Sequence, residues 1–365
     1  MERVPGTVVA HVPAAGEQYV GSPTLLRIGE RELLAVHDLF GPGTDFDTAR
    51  VHRSEDDGAT WHHVATLVGQ FWSTLFAHGG AVYLLGTARK NGDVVIRRTD
   101  DDGRTWTTPR DERTGLLRRG RYHGAPTPVV EHAGRIWRAF EDYEGLPGEG
   151  QWGRSFRAGM LSAPVDADLL DASSWTDTGF VASDPEWLDG TVVGWLEGNA
   201  VVTREGEMVD LLRVDVPTPD PCYAALAHVS ADGTAISFDP DAGFLPMPGA
   251  ITKFTVRWDA PSERYWSLVN HVPDPATTSV GLRSRNTVQL VSSPDLRRWD
   301  LGPVLLHHDD DQVHAFQYVD WVVDGDDILF VSRTAFDDDD GGAKSFHDTN
   351  YLTFHRVPRF RENAR

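Results

Sequence analysis

Ser54-Glu55-Asp56-Asp57-Gly58-Ala59-Thr60-Trp61 and Thr99-Asp100-Asp101-Asp102-Gly103-Arg104-Thr105-Trp106 align without a gap. Both read Ser/Thr-x-Asp-x-Gly-x-Thr-Trp. The chemistry is that of a tight turn. Hydroxyl and carboxylate side chains satisfy backbone donors, glycine takes the positive φ, and tryptophan plugs the space beneath. One such turn would mark a single β-hairpin; two copies one four-stranded unit apart mark a repeat architecture. A shortened copy, Ser293-Pro294-Asp295-Leu296-Arg297-Arg298-Trp299, lacks the glycine, and Ser230-Ala231-Asp232-Gly233 keeps only a stub.

Between the turns the residues alternate with the period of strands, as in Ala81-Val82-Tyr83-Leu84-Leu85 and Asp93-Val94-Val95-Ile96-Arg97. No stretch carries a helical period over an ordinary length. Inner strands are expected at residues 22–28, 72–77, 124–131, 197–203, 251–257 and 315–322. The expected fold is therefore all-β: a six-bladed β-propeller of four-stranded antiparallel blades, residues 1–365 forming one domain. Seven blades is the alternative, because residues 162–190 parse poorly. Thr7-Val8-Val9-Ala10-His11-Val12 has no nearby partner, and the last blade, ending in Asn350-Tyr351-Leu352-Thr353-Phe354-His355, lacks an outer strand. Pairing the two closes the ring and leaves only short edges.

The 365 residues are 40% hydrophobic and 24% charged, enough for a full core and unlike a disordered chain. No run approaches the about 18 apolar residues of a membrane helix. The start, Met1-Glu2-Arg3-Val4-Pro5, has no secretory pattern. A soluble protein is expected, cytoplasmic as written, or secreted or periplasmic if a signal was trimmed. The single cysteine, Cys222, excludes an internal disulfide and a Cys-rich zinc site. A net charge of -21 argues against nucleic acid and anionic membrane as partners.

The two full turns resemble the Asp boxes of the sialidase (neuraminidase) superfamily, and the strand pattern around them is similar to a sialidase-type propeller over most of the chain. That superfamily carries an Arg-Ile-Pro motif on its first inner strand, one of three arginines that grip a carboxylate. Here the matching place reads Val20-Gly21-Ser22-Pro23-Thr24: the proline is kept and the arginine is absent. Ala35-Val36-His37-Asp38-Leu39-Phe40-Gly41, Tyr122-His123-Gly124-Ala125-Pro126, Trp137-Arg138-Ala139-Phe140-Glu141 and Phe346-His347-Asp348-Thr349-Asn350-Tyr351 look more like propeller α-L-rhamnosidases, rhamnose-glucuronate lyases and ulvan lyases. The resemblance implies a carbohydrate-active enzyme whose ligand meets the mouth formed by the starts of the first strands and the ends of the second.

Carried onto this chain, those positions give candidate catalytic residues His37, Tyr122, His123, Arg138 and Glu197. Histidine moves protons near neutral pH, and arginine beside tyrosine and histidine suits a uronic acid, whether gripped or cleaved by β-elimination. Hydrolysis more often uses two carboxylates, for which Glu141, Glu197 and Asp320 are available. Asp38, Trp72, Arg89, Lys90, Glu141, Asn199, Lys253, His314, Gln317 and Arg333 are candidate substrate-binding residues, and Trp152 and Trp195 could stack on sugar faces. Lys90, Lys253 and the arginines would make a basic pocket in an acidic protein, which suits an acidic oligo- or polysaccharide. No cofactor is expected; if a divalent metal binds, His37, His123 and His347 are its candidate ligands. The run Asp337-Asp338-Asp339-Asp340 lacks EF-hand spacing and reads as a solvated loop. The expected function is an exo-acting glycoside hydrolase that removes a terminal sugar, in a rhamnose- or uronate-type linkage, from an acidic glycan. A polysaccharide lyase and a non-catalytic carbohydrate-binding propeller are the alternatives.

Overall fold

A computed structural model describes residues 2–143, 152–216 and 221–364. Each full turn closes on itself through side chains. The Asp56 carboxylate accepts from Ser54 Oγ (2.9 Å), Thr60 N (2.9 Å) and Thr60 Oγ1 (2.7 Å), while Gly58 N donates to Ser54 Oγ (2.9 Å). Asp101 makes the same set with Thr99 and Thr105. Trp61 and Trp106 donate their indole N–H groups to the carbonyls of Gly58 and Gly103, which both sit at φ +85°. The degenerate copies fold into related turns. Leu296, at φ 64°, takes the glycine's place and accepts from Trp299 Nε1, and the Ser230–Asp232 hydroxyl–carboxylate pair survives. Each of these turns joins two consecutive, paired strands of one sheet, for example Thr48–Ser54 to His62–Val68 and Thr287–Ser293 to Asp300–His307.

The chain is an all-β propeller, but its strands form five sheets rather than six or seven separate blades. The strand Leu116–His123 is the reason. It pairs with Gly92–Thr99 on one side and, at Tyr122↔Asp142 and His123↔Glu141, with Arg135–Asp142 on the other. This joins the strands from Phe71–His78 to Thr176–Ala182 into one eight-stranded sheet; the other sheets have four or five strands. Two expected inner strands are mostly extended loop, with pairing only at Val130–His132 and Val256–Asp259. Pro126 and Pro128 cannot donate to a ladder.

Thr7–His11 pairs antiparallel with Tyr351–Val357, placing Thr7 opposite Phe354 and His11 opposite Tyr351, so the first strand completes the last sheet. The core lies between neighbouring sheets: Leu25, Leu33 and Ala35 pack on Leu329, Val331 and Leu352. Trp137, Trp195, Trp266 and Trp321 are among the largest fully buried side chains, so Trp195 is core and not a sugar platform. Truncating such a residue would cost about 3–5 kcal/mol. Among the described residues no helix is long and apolar enough to cross a membrane.

Candidate active site

Three edge strands, Phe71–His78, Gly194–Val202 and Ala315–Asp324, each break their ladder near the start. The register slips between Phe71 and Thr74, between Leu196 and Asn199, and between Gln317 and Asp320. Inside each slip one non-glycine residue is left-handed: Trp72 (φ 47°), Glu197 (φ 61°) and Tyr318 (φ 53°). A bulge of this kind re-aims a side chain at the cost of about 1–3 kcal/mol of backbone strain. Neighbouring side chains hold the first two: Asp38 Oδ2 accepts from Trp72 N (3.0 Å), and Glu141 Oε1 accepts from Gly198 N (2.9 Å).

Trp72 and Tyr318 line one cavity of 260 Å³ together with Asp38, Arg213, Arg285 and Arg333. Glu197 lies beneath, 2% exposed, and its two oxygens take the Tyr318 hydroxyl (2.8 Å) and Arg213 Nη1 (3.0 Å). The guanidinium carbons of Arg285 and Arg333 stand 5.4 Å and 5.0 Å from the Tyr318 ring centre. Arg285 is oriented by the Gln317 carboxamide, and Arg333 by Thr349 Oγ1 (3.1 Å) and the His347 carbonyl. Phe40, Phe46, Phe71 and Trp152 form the apolar wall, and the Lys90 ammonium lies 5.0 Å from the Phe46 ring and 5.2 Å from that of Trp152.

The electrostatics separate the two carboxyl groups. Burial pushes the Asp38 carboxyl well above the usual range, against the Trp72 N–H and Arg333. Burial also works against a charge on Glu197, but Arg213, His123 and the Tyr318 hydroxyl outweigh it, and the carboxyl lies below its usual range. The Tyr318 phenol is raised by burial and by the charge of Glu197, against Arg285, Arg213 and Arg333. The site thus pairs one carboxyl biased toward its acid form with a second, beneath the cavity, biased toward its carboxylate, and on that second group rests a phenol biased toward its neutral form.

Of the residues expected from sequence, Asp38, Trp72, Lys90 and Arg333 line this cavity, and Glu197 underlies it. Several others do not reach it. His37 alternates with Asp38 along its strand, so its ring turns into the sheet interior, 0% exposed and stacked on His52. Arg138 is fully buried and serves Thr127 Oγ1 and the Ala139 and Ala125 carbonyls. His123 is buried behind the wall, bonded to Glu141 (2.6 Å) and stacked on Phe156, while Tyr122 packs with Phe180. Glu141 and Asn199 are buried supports of the Glu197 bulge, since Asn199 Oδ1 accepts from Val256 N (3.0 Å) and its Nδ2 donates to the Glu197 carbonyl (3.2 Å). Asp320 is spent on Thr24, Leu25 N and Arg257. Lys253 is buried, Gln317 acts through Arg285, His314 stacks on His308 away from the cavity, and Arg89 is exposed outside its lining. Among the described residues no group of three or more His, Cys, Asp or Glu could hold a metal ion, so His37, His123 and His347 do not converge as ligands.

Tyr318, Arg213 and Arg285 were not expected. Alternation along residues 314–321 puts Gln317 at the mouth, and the bulge moves that role to Tyr318. Arg213 did leave a signal: it is the one cation in the strand Met208–Asp215, every residue of which is buried.

No protein-family model matches the chain, and no curated protein matches it. Solved structures do. The α-L-arabinanase of Penicillium chrysogenum, in complex with arabinobiose, superposes with a TM-score of 0.58 at 13% identity, covering 99% of each chain. An α-L-arabinofuranosidase of Fusarium graminearum bound to an iminosugar inhibitor gives 0.58 at 12%, covering 97% of this chain and 98% of that one. The Trypanosoma rangeli sialidase in complex with sialic acid gives 0.54 at 13%, covering 97% of this chain and 56% of the sialidase. At such low identity, what this chain shares with these proteins is the sialidase-like propeller fold.

Proposed function

We propose that this protein is an exo-acting glycoside hydrolase that removes a terminal uronate-type sugar from an acidic glycan. The observation that carries the reading is the Tyr318–Glu197 hydrogen bond of 2.8 Å at the floor of a cavity lined by three guanidinium groups and by Asp38, whose carboxyl burial biases toward its acid form. Arg213, Arg285 and Arg333 suit a carboxylate on the sugar better than the methyl group of rhamnose. A cavity of 260 Å³ suits one terminal ring rather than the middle of a polymer.

In this scheme Glu197 takes the phenol proton as Tyr318 oxygen attacks the anomeric carbon. Asp38 gives its proton to the departing glycosidic oxygen, and a glycosyl-tyrosine is left. Asp38, now ionised, takes a proton from water; the hydroxide displaces the tyrosine oxygen, which recovers its proton from Glu197. Two inversions give net retention. A neutral phenol suits this task because an ionised carboxylate nucleophile would approach a substrate carboxylate of like charge. The structural neighbours, an arabinanase, an arabinofuranosidase and a sialidase, support a carbohydrate hydrolase.

The test is product analysis after incubation with uronate-capped and rhamnose-capped oligosaccharides and sialosides, with Tyr318→Phe in parallel. The expected result is a released uronate with one water added, retained anomeric configuration, and a drop of about a thousandfold or more in kcat for the variant. An unsaturated, water-free product would establish β-elimination instead. Tight binding of the glycan without product would establish a binding module.

A further inference from the structure

The bulge that carries Tyr318 is held by a residue that takes no part in the scheme above. Lys253 is 2% exposed and lies outside the cavity lining. Its ammonium donates to the Val319 carbonyl (2.8 Å) and to Thr255 Oγ1 (2.6 Å), and that hydroxyl also reaches the Val319 carbonyl (3.2 Å). Val319 directly follows Tyr318, inside the slip between Gln317 and Asp320.

A buried ammonium is costly unless its donors are satisfied, and burial does pull the Lys253 pKa down to about 8. A neutral side chain would fill the space with less penalty, so the charge calls for an account. The other two bulges supply one. There the backbone group is an N–H, of Trp72 or Gly198, and the clamp is an acceptor, a carboxyl oxygen of Asp38 or Glu141. At the third bulge the group is a carbonyl, and the clamp is a cation. Each clamp matches the backbone group it must hold, an acceptor oxygen for an N–H and a donor for a carbonyl.

We propose that Lys253 is a positioning residue for Tyr318: by fixing the Val319 carbonyl it locks the left-handed turn that aims the phenol at Glu197 and into the cavity. It touches no substrate, and its effect on turnover rests on the role given to Tyr318 above.

Lys253→Met removes the charge and donors at similar length; Lys253→Gln keeps a neutral donor. With both variants folded by circular dichroism and melting, kcat in Lys253→Met should fall about tenfold to a hundredfold. KM should stay within about threefold, because the guanidinium groups are untouched. Lys253→Gln should recover part of the loss. An unchanged kcat, or Gln no better than Met, overturns the assignment. If Lys253→Met does not fold, Thr255→Val, which removes only the second donor, should give the same split in smaller measure.

A second measurement needs no turnover. The ultraviolet titration of the wild type minus that of Tyr318→Phe isolates the Tyr318 phenol, which burial and Glu197 hold above an ordinary phenol. In Lys253→Met the loosened phenol should move back down toward the ordinary value, read against Lys253→Met/Tyr318→Phe; coincident curves sink the assignment. A wild type that cleaves no uronide would sink the hydrolase reading alone, and the titration would still decide the role of Lys253.

Discussion

Asp38 and His37 are neighbours on one strand, and the period of two sends them to opposite environments. Asp38 lines the cavity and burial raises its carboxyl well above the usual range, whereas burial lowers the His37 pKa to about 4, leaving a neutral ring in the sheet interior. The sequence offers the pair His37-Asp38 as candidates; which member lines the cavity it does not show, because the strand's phase is set by its partners. The assignment has a pH consequence. In the proposed scheme turnover needs Glu197 ionised and Asp38 protonated, so activity should be lost as pH falls through the depressed Glu197 pKa and again as it rises through the elevated Asp38 pKa. Asp38→Asn should abolish the alkaline limb and slow a natural glycoside by about a hundredfold to ten-thousandfold. An aryl glycoside with a good leaving group should lose far less. An alkaline limb that survives in Asp38→Asn kcat/KM profiles would assign the acid elsewhere.

At the scale of elements, the repeated turns and the bulged strands sit at opposite ends of what a sequence reveals. A turn declares itself because glycine, aspartate and tryptophan occupy fixed places, and the same bonds recur at Asp56 and Asp101. A bulge is an exception to alternation, so reading the period through residues 314–321 points to Gln317 and passes over Tyr318. The two glycines are not equivalent, however. A Cβ on Gly58 would come within 2.2 Å of the Phe354 ring, while one on Gly103 would meet Leu34 methyl groups at 3.0 and 3.1 Å. Both positions have positive φ, so Gly58→Ala and Gly103→Ala should each destabilise by roughly 1 kcal/mol or more. Gly58→Ala should add an overpacking cost of about 1–3 kcal/mol. Urea unfolding of the two variants would show the order, and equal midpoints would contradict it. No residue of either turn lines the cavity, so KM should be unchanged in the folded fraction.

For the whole molecule, the all-β ring and its closing strand were legible, and the division into sheets was not. The pairing of Leu116–His123 with strands on both sides depends on two residue pairs that no local pattern encodes. The closing pair, Thr7–His11 against Tyr351–Val357, makes a sharper prediction. Removing residues 1–12 would strip the last sheet of its outer strand, uncover Leu352 and Phe354, and leave an unpaired edge. The shortened protein should melt several degrees lower and form larger species in light scattering; an unchanged melt would mean that the seam adds little. The same seam also sets a timetable. A ring sealed by its two ends stays open until nearly the whole chain has left the ribosome, so the earliest-made strand must wait, unpaired, for the latest. A circular permutant that joins the present termini and opens at the Gly79-Gly80 hairpin, where added atoms meet open space, would let those strands emerge as one continuous unit. Its refolding rate against the parent's would measure how much of the folding time is spent waiting for the ends to meet.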